Sequence, residues 1–534
     1  QTQGPTGGGS GFASYLLGDV ANFARYVSNV YDASERQNRL FFYAQDNWRV
    51  TSKLTLNYGL RWDIYRPEYV NGPGKGANID PATGENLVAG SQGVSNSLNT
   101  SIPPRTFAPR AGLAYKITDK TVIRAGYGRG FDLGIFGSIF GHNVTQNLPV
   151  LAIQNVTPAF NYQSVFTLTQ GPPPVSDPAA ILAAQPKGPN GRPLQPNGFT
   201  TDIVPLTQRV PTIDTWNFTL QRQLTGTASL EVAYVGTKGT HEPPAYNGYS
   251  NTNEPTLVGY TAGLSTNQRR PYYGLYGWTQ LVRYSGNDSS NRYHALQTKL
   301  EKRFSRGLQL LGHYTWSRAL DYDTTQYIYR RDLGFGPNNA NRNHIITAMG
   351  LWEVPVGNGR KALNHLPKAL DSVIGGWQTN FVTTWMTGLP FTPSYQNCSA
   401  DADTGFCRPN VVGPWQTSDP SQFGWFSTAA ALLSANGQIS GPWQRPDRGQ
   451  FGNVGRNTLT GPRFWQTDFS AFKQFQLKER MKLQFRAEAF NFFNHTNLGQ
   501  PAACVDCPGT AGRIFATATT YLPRMWQVAA RIQF

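Results

Sequence analysis

The stretch KLTLNYGLRWDIY, residues 53–65, decides how this chain is read. Leu54, Leu56, Tyr58, Leu60, Trp62 and Ile64 fall on one side of an extended backbone, and Thr55, Asn57, Gly59, Arg61 and Asp63 on the other. Successive side chains of a strand point to opposite faces, so period two marks a strand with one apolar and one watered face. A one-residue slip would put Arg61 and Asp63 where Leu60 and Trp62 belong, so the register is well specified. The pattern recurs outward from here. Ala111, Leu113, Tyr115 and Ile117 alternate with Gly112, Ala114, Lys116 and Thr118, and Trp216, Phe218 and Leu220 with Asn217, Thr219 and Gln221. Leu230, Val232 and Tyr234, then Leu296, Thr298 and Leu300, repeat it. So do Met481, Leu483, Phe485, Ala487 and Ala489 against Lys482, Gln484, Arg486 and Glu488.

The connections fall into two kinds. Residues 50–53, 118–120, 224–227, 304–307 and 476–480 are short and polar, as hairpin turns are. Residues 66–105, 132–212, 238–291, 319–342, 389–462 and 494–523 are long and rich in Pro, Gly, Asn and Ser. One turn, about 356–373, is longer than its class. Long structureless loops argue against a compact soluble domain. Short turns alternating with long loops are what an outer-membrane barrel shows, with the turns in the periplasm and the loops outside. The expected fold is therefore all-β: an antiparallel transmembrane β-barrel in a bacterial outer membrane. About fourteen strands are predicted, near 12–25, 39–50, 53–65, 106–118, 121–131, 213–224, 227–237, 292–304, 307–318, 343–355, 374–388, 463–475, 480–493 and 524–534. The first of these also suits a short helix; counted as a strand, it leaves both ends in the periplasm. In the last, Trp526, Val528, Ala530, Ile532 and Phe534 share a face and end on an aromatic residue. Outer-membrane proteins commonly end so, and this strand is expected to be read by the outer-membrane assembly machinery.

Composition agrees without deciding. Of 534 residues, 39% are hydrophobic, and no run of eighteen apolar residues offers a membrane-spanning helix. Barrel strands show apolar side chains to lipid only at alternate positions, so low hydrophobicity fits them equally well. Aromatic residues reach 13%, enough for two interfacial girdles. The net charge of +16 comes with no clustered Lys/Arg run and no zinc-finger or RNP-like motif, so nucleic acid is not the expected partner. Outer-membrane lipid and the phosphates of lipopolysaccharide are. The chain begins at Gln1, with no charged or apolar leader in the text, and residues 1–11 read as a flexible Gly-rich lead-in.

Candidate chemistry is sparse, and no catalytic residue, cofactor or metal site is predicted. Four cysteines form two close pairs, Cys398 with Cys407 and Cys504 with Cys507, both in outer loops, which suits local disulfides in an oxidising compartment. Cys504-Val505-Asp506-Cys507 also has the form of a metal half-site, with His495 the only close histidine. Asp401, Asp403 and Gly405 resemble the start of a calcium loop but lack its closing acid. Gly72 to Gly76 with Lys75 lacks the spacing of a phosphate-binding loop. Among seven histidines, His294, His313 and His344 lie on or near strands, and none joins a serine and an aspartate in a recognisable arrangement. His313 is expected to face the lumen. Arg61, Asp63, Lys116, Lys299, Glu301, Lys482, Arg486 and Glu488 are expected to face it too, forming ion-pair ladders or a path for substrate.

Several strings carry a family resemblance. Phe42-Tyr43-Ala44-Gln45-Asp46-Asn47-Trp48-Arg49-Val50, Leu54 to Trp62, Phe107 to Tyr115 and Arg486 to Asn497 resemble the barrel of TonB-dependent receptors of the Oar-like kind, often found with a carboxypeptidase-regulatory-like domain. The resemblance spans nearly the whole chain and is weakest in the long loops. It implies a barrel of twenty-two strands, of which residues 1–534 are the C-terminal portion. It also implies an N-terminal plug that the TonB complex contacts, and uptake of a carbohydrate, peptide or chelate. No plug-like segment precedes the strands here, which is a departure from the pattern. The alternative is a passive porin, or a structural or adhesive surface barrel, complete in this chain.

Overall fold

A computed structural model of the chain describes residues 11–534 apart from 134–141, 157–162, 244–248, 259, 261–262, 323–327, 397–407, 418–419, 428–441, 448 and 521. Its centre is one antiparallel meander of thirteen strands. In chain order these are β1 (Arg39–Arg49), β2 (Leu54–Tyr65), β3 (Phe107–Thr118), β4 (Thr121–Phe131), β5 (Thr212–Thr225), β6 (Ala228–Glu242) and β7 (Ser289–Ser305). Then come β8 (Leu308–Tyr322), β9 (His344–Glu353), β10 (Gln378–Met386), β11 (Phe464–Lys478), β12 (Met481–Phe490) and β13 (Met525–Gln533). Each pairs with its neighbours in sequence, so every connection is a hairpin. Tight turns and long loops alternate as the turn chemistry predicts. At 305–308, for example, Arg306 and Gly307 both take positive φ, the conformation that a two-residue hairpin needs.

The register carries the two faces across strands. Leu113, Ala125, Phe218, Tyr234, Leu296, Trp316 and His344 are successive partners on seven strands, β3 to β9, and form one continuous row. This face is membrane-facing. At its outer end Trp62 stacks on Phe107, Tyr314 and Trp316 on His344, and Trp465 on Phe493. Rings at that level form the aromatic girdle expected at a lipid–water boundary.

One predicted strand is corrected. Residues 12–25 do not join the sheet: Gly11–Leu17 is a helix (α1), and Phe23–Val27 pairs with Ala152–Val156 in the outer loops. Tyr15, Leu16 and Leu17 offer consecutive rather than alternating apolar side chains, which a helix accommodates and a one-sided strand does not. The fourteenth strand of the sheet is instead Phe335–Pro337, paired with the outer end of β8. β1 thus starts at the outer rim. Both edge strands, β1 and β13, run from the outer rim toward the periplasmic turns. Among the described residues nothing pairs with their free edges, so the sheet is not closed on itself.

The described parts of the long loops are folded. Residues 66–105, 132–212 and 238–291 share small apolar cores. In one, Trp278 is fully buried among Ile79, Ile203 and Val282; in another, Val70, Leu87, Leu98, Val144 and Val204 meet. Asparagines fasten the loops together. The Asn78 side chain donates to the Val204 carbonyl (2.7 Å) and accepts from its N–H (3.0 Å), and Asn147 bridges Ala77 and Asp202. A second lobe gathers Phe391, Tyr395, Phe426, Trp443, Leu459 and Val505 from the two last loops. These residues lie too far apart in sequence for any local pattern to announce them.

Candidate functional site: the lumen wall and its outer cap

Opposite the membrane face, the second set of alternate positions forms a wall. Gln221, Glu231, Lys299, His313, Thr347, Thr384 and Gln466 are successive register partners on β5 to β11. Seven strands therefore present one polar residue each at the same height. Donors and acceptors arranged so offer a wetted surface rather than a packed core. His313 stands in this row, as its alternation implies. By strand parity the eight predicted lumen residues fall on the same side of the sheet as the polar row, and several pair along their own strand rather than across strands. Arg61 pairs with Asp63 (2.5 Å), Lys299 with Glu301 (2.9 Å) and Arg486 with Glu488 (3.4 Å). Each is an i, i+2 pair, so both members keep the same face. Lys116 reaches Asp119 in the adjoining turn (2.7 Å), and Lys482 lies in register with Gln476 and Gln533. The exposed pairs, Lys299–Glu301 and Lys116–Asp119, contribute little stability each, whereas Asp63 is buried. Their effect is to hold the wall's charge in place.

The next row down contains what the sequence reading missed. Glu301, Leu311, Met349, Val382 and Asp468 are successive partners, so three apolar residues interrupt the polar wall between two acids. Leu311, Met349, Val382 and Asp468, with Gln309, Leu351, Asn380, Ser470 and Glu488, line a groove of about 420 Å³. Met349 is 39% and Val382 46% exposed, although both are on the lumen side. The signal was present: Ile345, Ile346, Met349, Leu351 and Trp352 put apolar residues on both faces of β9. An apolar strip with polar margins is the composition of a contact site for a mixed-polarity partner.

Above the wall, the cap contains a buried ion pair. Asp202, fully buried, receives the guanidinium of Arg283 through two nitrogens; Gln146 takes a further bond from it (2.7 Å). Strand 201–203 lies parallel to strand 282–284 at this point, so the pair joins two loops. Burial pushes the Asp202 carboxyl up to about 6 in spite of Arg283. Its folded value lies above the ordinary 3.8, so this group's stabilising contribution is complete below pH 3.8 and is lost as pH rises through about 6. Amide exchange in 201–203 and 282–284, corrected for intrinsic rate, should slow between pH 7.5 and 5.5. Asp202→Asn should remove that dependence. Exchange that accelerates on acidification would show that the ion pair, and not burial, governs the site.

The remaining candidates resolve individually. Cys504 and Cys507 are joined in a disulfide, which leaves neither sulfur as the thiolate a metal would need. Asp506 beside them accepts from the Gln396 N–H (2.7 Å), which ties the two outer loops together. Cys398, Cys407, Asp401, Asp403 and Gly405 lie outside the described residues, as do all but the last residue of the lead-in. Lys75 is paired with Asp32 (2.5 Å) in a loop turn. His294 and His344 belong to the membrane-facing girdle, where Tyr234 and Tyr314 hydroxyls contact their Nδ1 atoms at 2.8 and 2.9 Å. The terminal residues Trp526, Val528, Ala530 and Ile532 take the membrane side of β13, in register with Ala489, Ala487, Phe485 and Leu483; Phe534 follows the strand's last residue.

Comparison with solved structures finds the ferric-catecholate import receptor Fiu from K12 E. coli (10% identity, TM-score 0.39, 94% of this chain and 45% of that one). The ferripyoverdine receptor of Pseudomonas aeruginosa (10%, 0.39, 93% and 39%) and the ferric citrate transporter FecA (10%, 0.39, 94% and 46%) are similar to the same degree. The chain spans about half, or less, of the length of these structures. No curated protein matches it by sequence. Residues 1–527 match the family model described as an outer membrane beta barrel domain, and with the strand register, the two-faced wall and the girdle already in place, the chain belongs to that outer-membrane family.

Proposed function

We propose that the chain is the C-terminal barrel portion of a TonB-dependent transporter of the Oar-like kind, taking up a carbohydrate, peptide or chelate across the outer membrane. The observation that carries this reading is the open sheet. β1 and β13 run in the same direction, so antiparallel closure takes an odd number of further strands. Barrels of about twenty-two strands hold a plugged lumen, whereas sixteen to eighteen leave an aqueous channel. Nine further strands complete the twenty-two that the family resemblance implies; three or five, also odd, would complete a sixteen- or eighteen-stranded channel, and the uptake test separates the two. In this reading the polar row faces a plug. The Leu311–Met349–Val382 groove contacts the plug or the passing substrate. The folded cap captures substrate, and energy arrives mechanically from the TonB complex. The wall performs no bond chemistry.

The test is uptake by cells carrying the gene, with oligosaccharides, peptides and metal chelates offered in turn, before and after collapse of the inner-membrane proton gradient. Saturable uptake that stops with the gradient supports the proposal. Uptake linear in concentration and indifferent to the gradient would support a passive porin instead. Within the same assay, Val382→Asp should cut uptake about tenfold, as expected for contacts of ~1.4 kcal/mol lost where plug or substrate covers this exposed side chain. Surface levels of the protein should stay unchanged. Wild-type uptake by this variant would remove the groove from the path.

A further inference from the structure

The longest periplasmic turn, residues 354–377, carries helix α2 (Lys368–Ile374), and a lysine of the barrel wall holds it. In β11, Trp465, Thr467, Phe469, Ala471, Lys473, Phe475 and Leu477 share the membrane side, and Lys473 lies in register with Phe485 on β12. A lysine on that face is costly unless it finds a partner or reaches the interface. Here it is only 6% exposed. Its ammonium donates to the carbonyls of Asp371 (3.2 Å), Ser372 (2.7 Å) and Gly375. These belong to the last turn of α2 and its end, where the Asp371 carbonyl also accepts from the Gly375 N–H (2.9 Å) and the helix dipole favours a cation. Lys473 therefore pins α2 against the outside of the wall, on the lipid side, and not beneath the lumen.

The rest of the turn is built around this position. Asn358 bonds Leu366 through both its amide atoms, Asp371 accepts from the Asn358 N–H (2.7 Å), and Trp377 Nε1 donates to the Val373 carbonyl (2.8 Å). What remains free is an apolar ridge. Leu370 (44% exposed), Val373 (66%) and Ile374 stand at i, i+3 and i+4, on one side of the helix. The same turn carries the basic residues Lys361, His365 and Lys368, while Arg360 is engaged with Glu353 (2.9 Å). β9 and β10, which flank the turn, both cross the membrane, so the ridge continues the lipid-facing surface of the barrel. Exposed Trp352, at the end of β9, lies on that same face.

We infer that α2 is an interfacial anchor seated in the periplasmic leaflet, with Leu370, Val373 and Ile374 among phospholipid acyl chains and Lys361 and Lys368 at anionic headgroups. Short amphipathic helices with this division of apolar and basic residues lie in the plane of an interface. The inference rests on the outer-membrane placement alone and is independent of transport.

The test uses the full chain in nanodiscs of phosphatidylcholine, with and without phosphatidylglycerol. A photoreactive p-benzoylphenylalanine is placed at position 373, and at 364 in a control. Phospholipid adducts, read by mass, should form from 373 and not from 364. Co-purifying phosphatidylglycerol should fall when Lys361→Glu and Lys368→Glu are combined. In Lys473→Met, amide exchange over 371–376 should rise about tenfold as the helix loses its cation. Heat-modifiable gel mobility shows that this variant still folds. Adducts to protein only, equal lipid labelling at both positions, or unchanged exchange in Lys473→Met would each overturn the inference; adducts to protein would point to a periplasmic protein on the ridge.

Discussion

Phe218→Arg should destabilise the folded barrel in lipid by about 2–4 kcal/mol, the cost of a basic side chain facing the bilayer midplane. Phe218 lies in the middle of β5, in register with Ala125 and Tyr234, and half of its surface is open to the membrane. Its neighbour Asn217 points to the lumen between Gly126 and Val235. Asn217→Arg should therefore change stability by less than about 0.5 kcal/mol. Depth supplies a second control. Leu224 ends the same face beside the periplasmic turn, and Leu224→Arg should cost about 0–1 kcal/mol. Reversible unfolding in urea with lipid vesicles measures all three. Equal costs at 217 and 218 would mean that the two faces have been assigned wrongly.

Trp278→Ala should unfold the outer cap and leave the barrel intact. The indole is fully buried, with its ring 4.7 Å from that of Tyr276 and 5.4 Å from that of Tyr272, and its Nε1 donates to the Gln195 carbonyl (2.9 Å). Removing it leaves a cavity and an orphaned carbonyl, a loss of about 3–5 kcal/mol. That is comparable with everything a small loop cluster has to hold it together. External protease should then cleave within 132–212 or 238–291, and should leave those loops of the wild-type protein intact. Heat-modifiable mobility of the barrel should not change. If the variant keeps its protease resistance, the loops do not depend on a common core.

Much of the fold was legible because a barrel strand is a local object. Its faces alternate every residue, its turns are marked by polar residues and glycine, and both signals lie within a dozen positions. β2, β5 and β12 could be bounded this way to within a few residues. Where the local signal was double, the reading failed. Residues 12–25 carry aromatic and apolar side chains in an order that suits a helix as well as a strand, and the tertiary pairing of 23–27 with 152–156 settled them elsewhere. On β9, apolar residues on both sides hid the groove at Met349.

From the sequence alone came the membrane, the direction of the strands and the two faces of most of them, because alternation and turn length are properties of neighbouring residues. The tertiary structure decided everything that depends on register between strands or on distant loops. The polar row from Gln221 to Gln466 exists only when seven strands are aligned. The Asp202–Arg283 pair joins residues 81 apart, and Lys473 meets a helix about a hundred residues before it. No window of sequence contains both partners, and only the folded chain brings them within reach of a hydrogen bond.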